Sequence, residues 1–204
     1  KSVSNLLVVG LLLFGLIWLN TPHLVNFLNW ISHKESGGYD AISKLIFILG
    51  IAKLIDLATG VNSQIIGTSH YWKFDFYTNL FYIIISLPLN YFLIKYYNLE
   101  GLAYSNLMAL LLYNTVRFIF IYKKFNLQPY TIKHALFLLA SIGLILLIHL
   151  FPMMNYILAN ILIQSFAFGI CFYLLVLWIN PAPEIHNMVQ DFIKVKIPSF
   201  FKKK

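Results

Sequence analysis

Residues 39–67 read YDAISKLIFILGIAKLIDLATGVNSQIIG, and this stretch decides the class of fold. It is long and apolar enough to cross a bilayer as a helix, which takes about 20 residues. Near its middle it carries Lys53 and Asp56, although a charge at that depth costs roughly 2.5–3.5 kcal/mol. Such side chains usually face a protein interior or a water-filled cavity. The stretch therefore predicts a membrane helix with one polar face.

The small and polar residues of this stretch recur at steps of three and four, so a helix places them on one stripe. Lys53 and Asp56 are three residues apart and near enough to pair. Two interpretations stay open, because the stripe either lines a cavity or locks the helix against a neighbour. The stripe comprises Gly50, Lys53, Asp56, Gly60, Ser63 and Gly67.

The composition supports a membrane protein over its whole length. Of 204 residues, 60% are hydrophobic and only 11% are charged, where a soluble domain is about 25% charged. The net charge of +8 comes from lysines in predicted loops and the tail, as the positive-inside rule expects, so we expect no nucleic-acid partner. The single cysteine, Cys171, excludes an internal disulfide.

Apolar segments predict an all-α polytopic protein with about six transmembrane helices. Their approximate ranges are 4–20, 39–64, 76–94, 101–122, 135–151 and 156–179, so residues 1–179 form one transmembrane unit. A break at Thr21-Pro22 separates the first span from a short interfacial helix at 23–32. Residues 180–204 are predicted to be a cytoplasmic, lysine-rich tail with an amphipathic helix at 185–193.

The lysines predict the orientation of these spans. With six spans, both termini lie on one side of the membrane, and most lysines outside the spans fall on that side. Both termini are therefore predicted to be cytoplasmic. The lysines on the terminal side are Lys1, Lys73, Lys123, Lys124, Lys133, Lys194, Lys196, Lys202, Lys203 and Lys204, against Lys34 and Lys95 on the other.

Several further residues inside the spans are candidates for a role. Arg117 either reaches the membrane surface along its own stem or presents a cation to a central cavity, together with Asn114. Pro88 kinks its helix and acts as a hinge or is simply tolerated. Gly60 and Gly101 are candidates for hinge or packing positions. No cluster predicts a metal site, a cofactor or catalysis.

Three segments carry a resemblance to a known family. They are AKLIDLATGVNSQIIGTS at 52–69, LNYFLIKYYNLEGLAYSN at 89–106 and YNTVRFIFIYKKFNLQP at 113–129. Together they resemble the C-terminal half of bacterial polysaccharide flippases of the O-antigen type. These belong to the multidrug, oligosaccharidyl-lipid and polysaccharide exporter superfamily. The resemblance covers the second to fourth predicted spans well and the others only in hydropathy.

The resemblance implies a transporter of two six-helix lobes in a bacterial inner membrane, of which this chain would be the second lobe. The N-terminal lobe and membrane lipids would be its partners. The implied substrate is an undecaprenyl-diphosphate-linked oligosaccharide, carried across the membrane by alternating access. On this view Lys53 and Arg117 contact the diphosphate. Asp56 holds Lys53 in place or takes part in coupling to a proton or sodium ion.

Two other functions remain open from the sequence. A drug or cation antiporter of the same superfamily would share the fold, but would usually carry more acidic residues in its helices. A membrane enzyme of envelope polysaccharide assembly would need larger polar loops with catalytic residues than the predicted outer loops provide.

Overall fold

The computed structural model of the protein describes residues 2–31, 40–127, 130–150 and 157–182, and these residues form six helices. Four of the helices, α1, α4, α5 and α6, are long and apolar enough to cross a membrane. The prediction of an all-helical protein with several apolar helices is therefore confirmed for the described residues. The helices are α1 Ser2–Ile31, α2 Asp40–Thr59, α3 Val61–Gly67, α4 Trp72–Phe125, α5 Ile132–His149 and α6 Ile157–Ile179.

The first helix is longer than expected, because α1 continues through Pro22 to Ile31. The predicted break at Thr21-Pro22, with a separate helix at 23–32, is wrong. Proline removes one backbone hydrogen bond of the helix, but contacts on both sides hold the segment against α6. The side chain of Asn20 donates to Ser165 Oγ at 2.9 Å, and His23 Nε2 lies 3.1 Å from Gln164 Oε1.

The second predicted span, in contrast, divides in two. α2 ends at Thr59, and α3 begins at Val61 after Gly60. The hydroxyl of Thr59 donates back to the carbonyl of Ile55 at 2.7 Å. α2 carries Lys44, Lys53 and Asp56, and it is not among the helices that by composition could span a membrane.

α4 is a helical hairpin of two arms, 72–97 and 99–125. Asn98 lies between the arms with φ 52° and ψ −133°, a conformation outside the helical region. This turn falls within residues 95–100, where the sequence predicts one. The arms approach closely after the turn, because a Cβ on Gly101 would lie 2.0 Å from the carbonyl oxygen of Leu93. Further along, Ser105 Oγ donates to Asn90 Oδ1 across the two arms.

The apolar core lies among α1, α5 and α6. Phe137 and Phe168 are fully buried there. Gly15 of α1 lets the ring of Phe168 approach, since a Cβ at that position would lie 2.2 Å from it. Small residues that admit a bulky neighbour are the usual way for membrane helices to pack closely.

α2 connects this core to the hairpin. It packs against α1 on one side and α4 on the other, and α3 also packs against α4. Gly50 of α2 admits the ring of Phe14, whose nearest atom would lie 2.5 Å from an added Cβ. The predicted tail helix at 185–193 lies outside the described residues.

Candidate functional site

A buried ion pair joins the two arms of the hairpin. Asp75 stands in the first turn of α4, and Arg117 stands on the second arm. Arg117 Nη2 donates to Asp75 Oδ1, with the arginine side chain 4% exposed and the aspartate 19% exposed. Attraction between charges is stronger away from water, so this pair fixes the position of the first arm against the second.

Polar neighbours complete the hydrogen bonding of this pair. Arg117 Nε donates to Thr78 Oγ1 at 3.2 Å, and its guanidinium lies 4.0 Å from the ring centroid of Tyr113. Asp75 Oδ1 also accepts from Ser63 Oγ of α3 at 3.1 Å, which ties α3 to the hairpin. Hydrogen bonds of this kind offset part of the free energy that is lost when a charge is removed from water.

The Arg117 side chain is 4% exposed and lies between the two arms of the hairpin, not at the membrane surface. Whether it presents a cation to a cavity between two lobes stays a prediction. Its counterion is supplied by the same chain. Arg117 is therefore a structural cation of the hairpin in this arrangement.

Asn114 is also buried, at 4% exposure, one turn before Arg117. Its Nδ2 has no hydrogen-bond partner among the described residues, and the same holds for Nδ2 of Asn62 on α3. A buried amide without a partner costs about 1–3 kcal/mol. α3 and α4 thus each carry a buried amide donor without a partner among the described residues.

Lys53 and Asp56 do pair, as their spacing predicts. The distance from Lys53 Nζ to Asp56 Oδ2 is 3.2 Å. In contrast to Arg117, the Lys53 side chain is 72% exposed and that of Asp56 is 36% exposed. An exposed pair is worth only about 0–1 kcal/mol, so it does not lock α2 against another described helix.

Tyr113 and Asn79 extend the polar network around Asp75. The Tyr113 hydroxyl donates to Asn79 Oδ1 at 2.7 Å, and Asn79 Nδ2 lies 3.3 Å from Asp75 Oδ2. Asp56 has its side-chain partner in Lys53, and both lie on the exposed side of α2.

The other lysine of α2, Lys44, points elsewhere. Lys44 is nine residues before Lys53, which is two and a half helical turns and places the two on opposite faces. Lys44 Nζ donates to Glu100 Oε2 at the turn of the hairpin, 2.5 Å away. Lys53 therefore shares the exposed face of α2 with Asp56, and Lys44 lies on the opposite face.

The hinge and packing candidates differ in their surroundings. Gly101 is required by the close approach of the two arms of α4. Gly60 has helical dihedral angles and marks the break between α2 and α3. Pro88 is exposed and lies inside the first arm, where the helix continues past it. Whether Gly60 or Pro88 acts as a hinge stays a prediction.

Sequence reasoning missed Asp75 as a partner of Arg117, since it placed Asp75 in a polar connection. A signal was present, because contacts across the hairpin join residues at similar distances from the predicted turn. Asn90 pairs with Ser105 and Asp75 with Arg117 in this way, and the rings of Phe74 and Phe120 stack at 3.7 Å. Folding the sequence at 95–100 would have placed Asp75 near Arg117.

Among the described residues, no group of three or more His, Cys, Asp or Glu side chains is arranged to hold a metal ion. Comparison of the chain with protein-family models, with curated proteins and with solved structures gives no match.

Proposed function

We propose that this chain is the second lobe of a transporter that moves an undecaprenyl-diphosphate-linked oligosaccharide across a bacterial inner membrane. The observation that carries the proposal is the open, charged face of α2, on which Lys53 is 72% exposed. The resemblance of residues 50–129 to polysaccharide flippases supports the choice of substrate. Both termini of the chain would be cytoplasmic, as the lysine distribution predicts.

The exposure of Lys53 is the physical basis of this proposal. α2 lies between α1 and α4, which are apolar enough to span a membrane. A lysine and an aspartate on its open face would be costly against hydrocarbon. A water-filled path avoids that cost, and a second lobe opposite this face would enclose such a path. Alternating access would then rock the two lobes around it.

The chemistry of the face suits an anionic substrate. The Lys53 ammonium can contact a diphosphate without strong competition, because its pair with Asp56 is exposed and weak. Asp56 would orient Lys53. Alternatively, when substrate draws Lys53 away, the Asp56 carboxylate would bind a coupling proton or sodium ion in its place. Arg117 has its own counterion in Asp75, so its proposed role is to keep the hairpin beside α2.

A drug or cation antiporter is the second candidate function. The observation that favours it is Asp56, a carboxylate 36% exposed on the same face and available to a cation once Lys53 moves. The two functions differ in which member of the pair is indispensable. A flippase depends on Lys53, and a cation antiporter depends on Asp56.

Complementation of a flippase-deficient bacterial strain tests the proposal. The full-length gene would be expressed as wild type and as Lys53→Ala, Asp56→Ala and the double variant, with membrane levels measured by immunoblot. Lys44→Ala is the matched control, since Lys44 is on the opposite face of the same helix. Surface polysaccharide is the readout.

The flippase proposal predicts that Lys53→Ala abolishes surface polysaccharide at normal protein level, while Lys44→Ala retains it. Recovery of export in the double variant would show that the pair is only structural. A wild-type gene that exports no glycan but confers drug or cation efflux, lost in Asp56→Ala, would replace the flippase with the antiporter.

A further inference from the structure

We propose that a groove across the two arms of α4, at the end of the hairpin away from its turn, binds one anionic phospholipid. The proposal rests on the membrane location of the hairpin and not on the transport proposal. Six residues line this hairpin groove, namely Phe74, Val116, Ile119, Phe120, Lys123 and Lys124.

The groove lies where the hairpin leaves the hydrocarbon of a membrane. The arms 72–97 and 99–125 are each about 39 Å long, at 1.5 Å per residue. The hydrocarbon core of a bilayer is about 30 Å thick, and the bilayer with its headgroups is about 40–45 Å thick. An arm that crosses the core therefore places its ends among the lipid headgroups. The exposed Tyr71 and Trp72 at this end are residues typical of that interface.

Aromatic packing gives the groove a fixed floor. Phe74 of the first arm and Phe120 of the second arm stack with their ring centroids 3.7 Å apart. The ring of Tyr71 packs edge-on against Phe120 at 5.6 Å and against Phe125 at 5.9 Å. These contacts hold the two arms together beneath the groove, which has a volume of about 310 Å³.

The groove is amphiphilic along the second arm. Val116, Ile119 and Lys123 follow one another at steps of three and four residues, so the helix places them on one line. That line runs for about 10 Å from the apolar positions to the lysine near the end of the arm. An acyl chain that lies along Val116 and Ile119 brings its phosphate to the level of Lys123 and Lys124.

The two lining lysines are available to an anion. Lys123 and Lys124 are exposed, and neither has an ion-pair partner among the described residues. Lys124 Nζ lies 5.8 Å from the ring centroid of Tyr71, a cation–π contact that keeps the ammonium group beside the aromatic floor. Lys73, at the start of the first arm, adds a third exposed cation at this end of the hairpin.

The surroundings of the lysines do not offset their charge. Asp and Glu are absent from the lining of the groove, and Asp75, beside Phe74, is already paired with Arg117. The first arm begins here and the second arm ends here, so the partial charges of the two helix ends oppose each other. The excess positive charge comes from the lysines, and it favours an anionic headgroup over a zwitterionic one, which carries a cation of its own.

Native mass spectrometry of the purified full chain tests the proposal, because it counts bound lipids one at a time. The delipidated protein in detergent would be titrated with phosphatidylglycerol and, separately, with phosphatidylcholine that carries the same acyl chains. The dissociation constant of the first bound lipid is the measurement. Circular dichroism and elution volume establish that each variant is folded.

Two sets of variants separate the groove from general lipid contact. Lys123→Gln and Lys124→Gln each remove a lining cation, and Lys133→Gln removes an exposed lysine of α5 that does not line the groove. Val116→Phe fills the apolar part of the groove. Leu111→Phe alters an exposed position of the same arm outside the lining and is its matched control.

We expect the wild type to bind phosphatidylglycerol more tightly than phosphatidylcholine. Lys123→Gln and Lys124→Gln should each reduce this preference by up to about fivefold, the contribution of one lysine near a membrane surface, whereas Lys133→Gln should retain it. Val116→Phe should weaken the binding of phosphatidylglycerol, and Leu111→Phe should not.

Four results would overturn the proposal. Equal dissociation constants for the two lipids would show that the lysines select no headgroup. An equal loss in Lys133→Gln would show attraction to the overall charge of the protein. Displacement of phosphatidylglycerol by an equal concentration of inorganic phosphate would make the groove a site for the soluble ion. A preference that appears only after removal of residues 183–204 would show that the C-terminal segment covers the groove.

Discussion

The Arg117 side chain is 4% exposed between the arms of the hairpin, whereas the Lys53 side chain is 72% exposed on α2. Both cations have an aspartate partner in the same chain, so the difference between them is burial. A buried pair costs much when one partner is lost, because the other charge is left uncompensated. An exposed pair can be broken and re-formed at little cost.

Arg117→Ala is therefore expected to destabilise the protein by about 3–5 kcal/mol, since it leaves Asp75 without its partner. Lys53→Ala should change stability by less than about 1 kcal/mol. Thermal unfolding of the purified variants in detergent, followed by loss of the monodisperse elution peak, measures both. Equal melting temperatures for the two variants would contradict the view that Arg117 stabilises the fold and that Lys53 does not.

At this scale the sequence predicted the Lys53–Asp56 pair from spacing alone, because both residues lie on one helix. It did not predict the partner of Arg117, because Asp75 is on another arm and was placed outside the helix. The burial of Asn114 was also missed, since a single asparagine gives no signal of which face it occupies. Contacts within a helix follow from periodicity, and contacts between helices require the fold.

Gly15 shows how helices α1 and α6 achieve their close packing. An added Cβ would lie 2.2 Å from the ring of Phe168, which is fully buried and has no room to move. Gly15→Ala should thus destabilise the protein by about 1–3 kcal/mol through overpacking. The matched control is Gly169→Ala in α6, where no atom lies within 4 Å of an added Cβ.

Gly169→Ala should leave the melting temperature unchanged or raise it, because alanine favours a helix over glycine by about 0.5–1 kcal/mol. The two variants are compared in the same unfolding assay. A Gly15→Ala protein as stable as Gly169→Ala would show that α1 and α6 pack less closely than the structure indicates.

Asn98 carries the turn of the hairpin at φ 52° and ψ −133°, a conformation that glycine adopts with less strain. Asn98→Gly should raise stability by about 1 kcal/mol. Asn106→Gly, inside the second arm, should lower it by about 0.3 kcal/mol, the difference in helix propensity between asparagine and glycine. Chemical unfolding monitored by circular dichroism would measure the two opposite shifts, and a loss of stability in Asn98→Gly would be inconsistent with this turn.

At the scale of elements, hydropathy predicted the helices and the hairpin turn well. It failed at Pro22 and at Gly60, and the reasons differ. The helix continues past Pro22 because Asn20 and His23 bond to Ser165 and Gln164 of α6. It divides at Gly60 where Ser63 of α3 bonds to Asp75 of the hairpin. Tertiary contacts override the local preference of Pro22, whereas the break at Gly60 follows the low helix preference of glycine.

At the scale of the molecule, the order of packing explains why the charged helix has an open face. α1, α5 and α6 share the apolar core, α4 stands on the far side, and α2 lies between them. This order could not be read from the sequence, since every span is apolar and hydropathy does not say which helices are neighbours. It leaves Lys53 exposed, and the proposed path lies against that face.

The central claim is that the Lys53 face of α2 meets water at membrane depth. The most direct measurement is reaction of Lys53→Cys with a membrane-impermeant maleimide in intact cells and in inverted vesicles, with Cys171 replaced by serine. Leu139→Cys, on an exposed apolar face of α5, is the lipid-facing control. We expect the maleimide to label the Lys53→Cys protein but not the Leu139→Cys protein, and lipid-linked oligosaccharide to protect the former. Absence of labelling at position 53 from both sides of the membrane would contradict the claim.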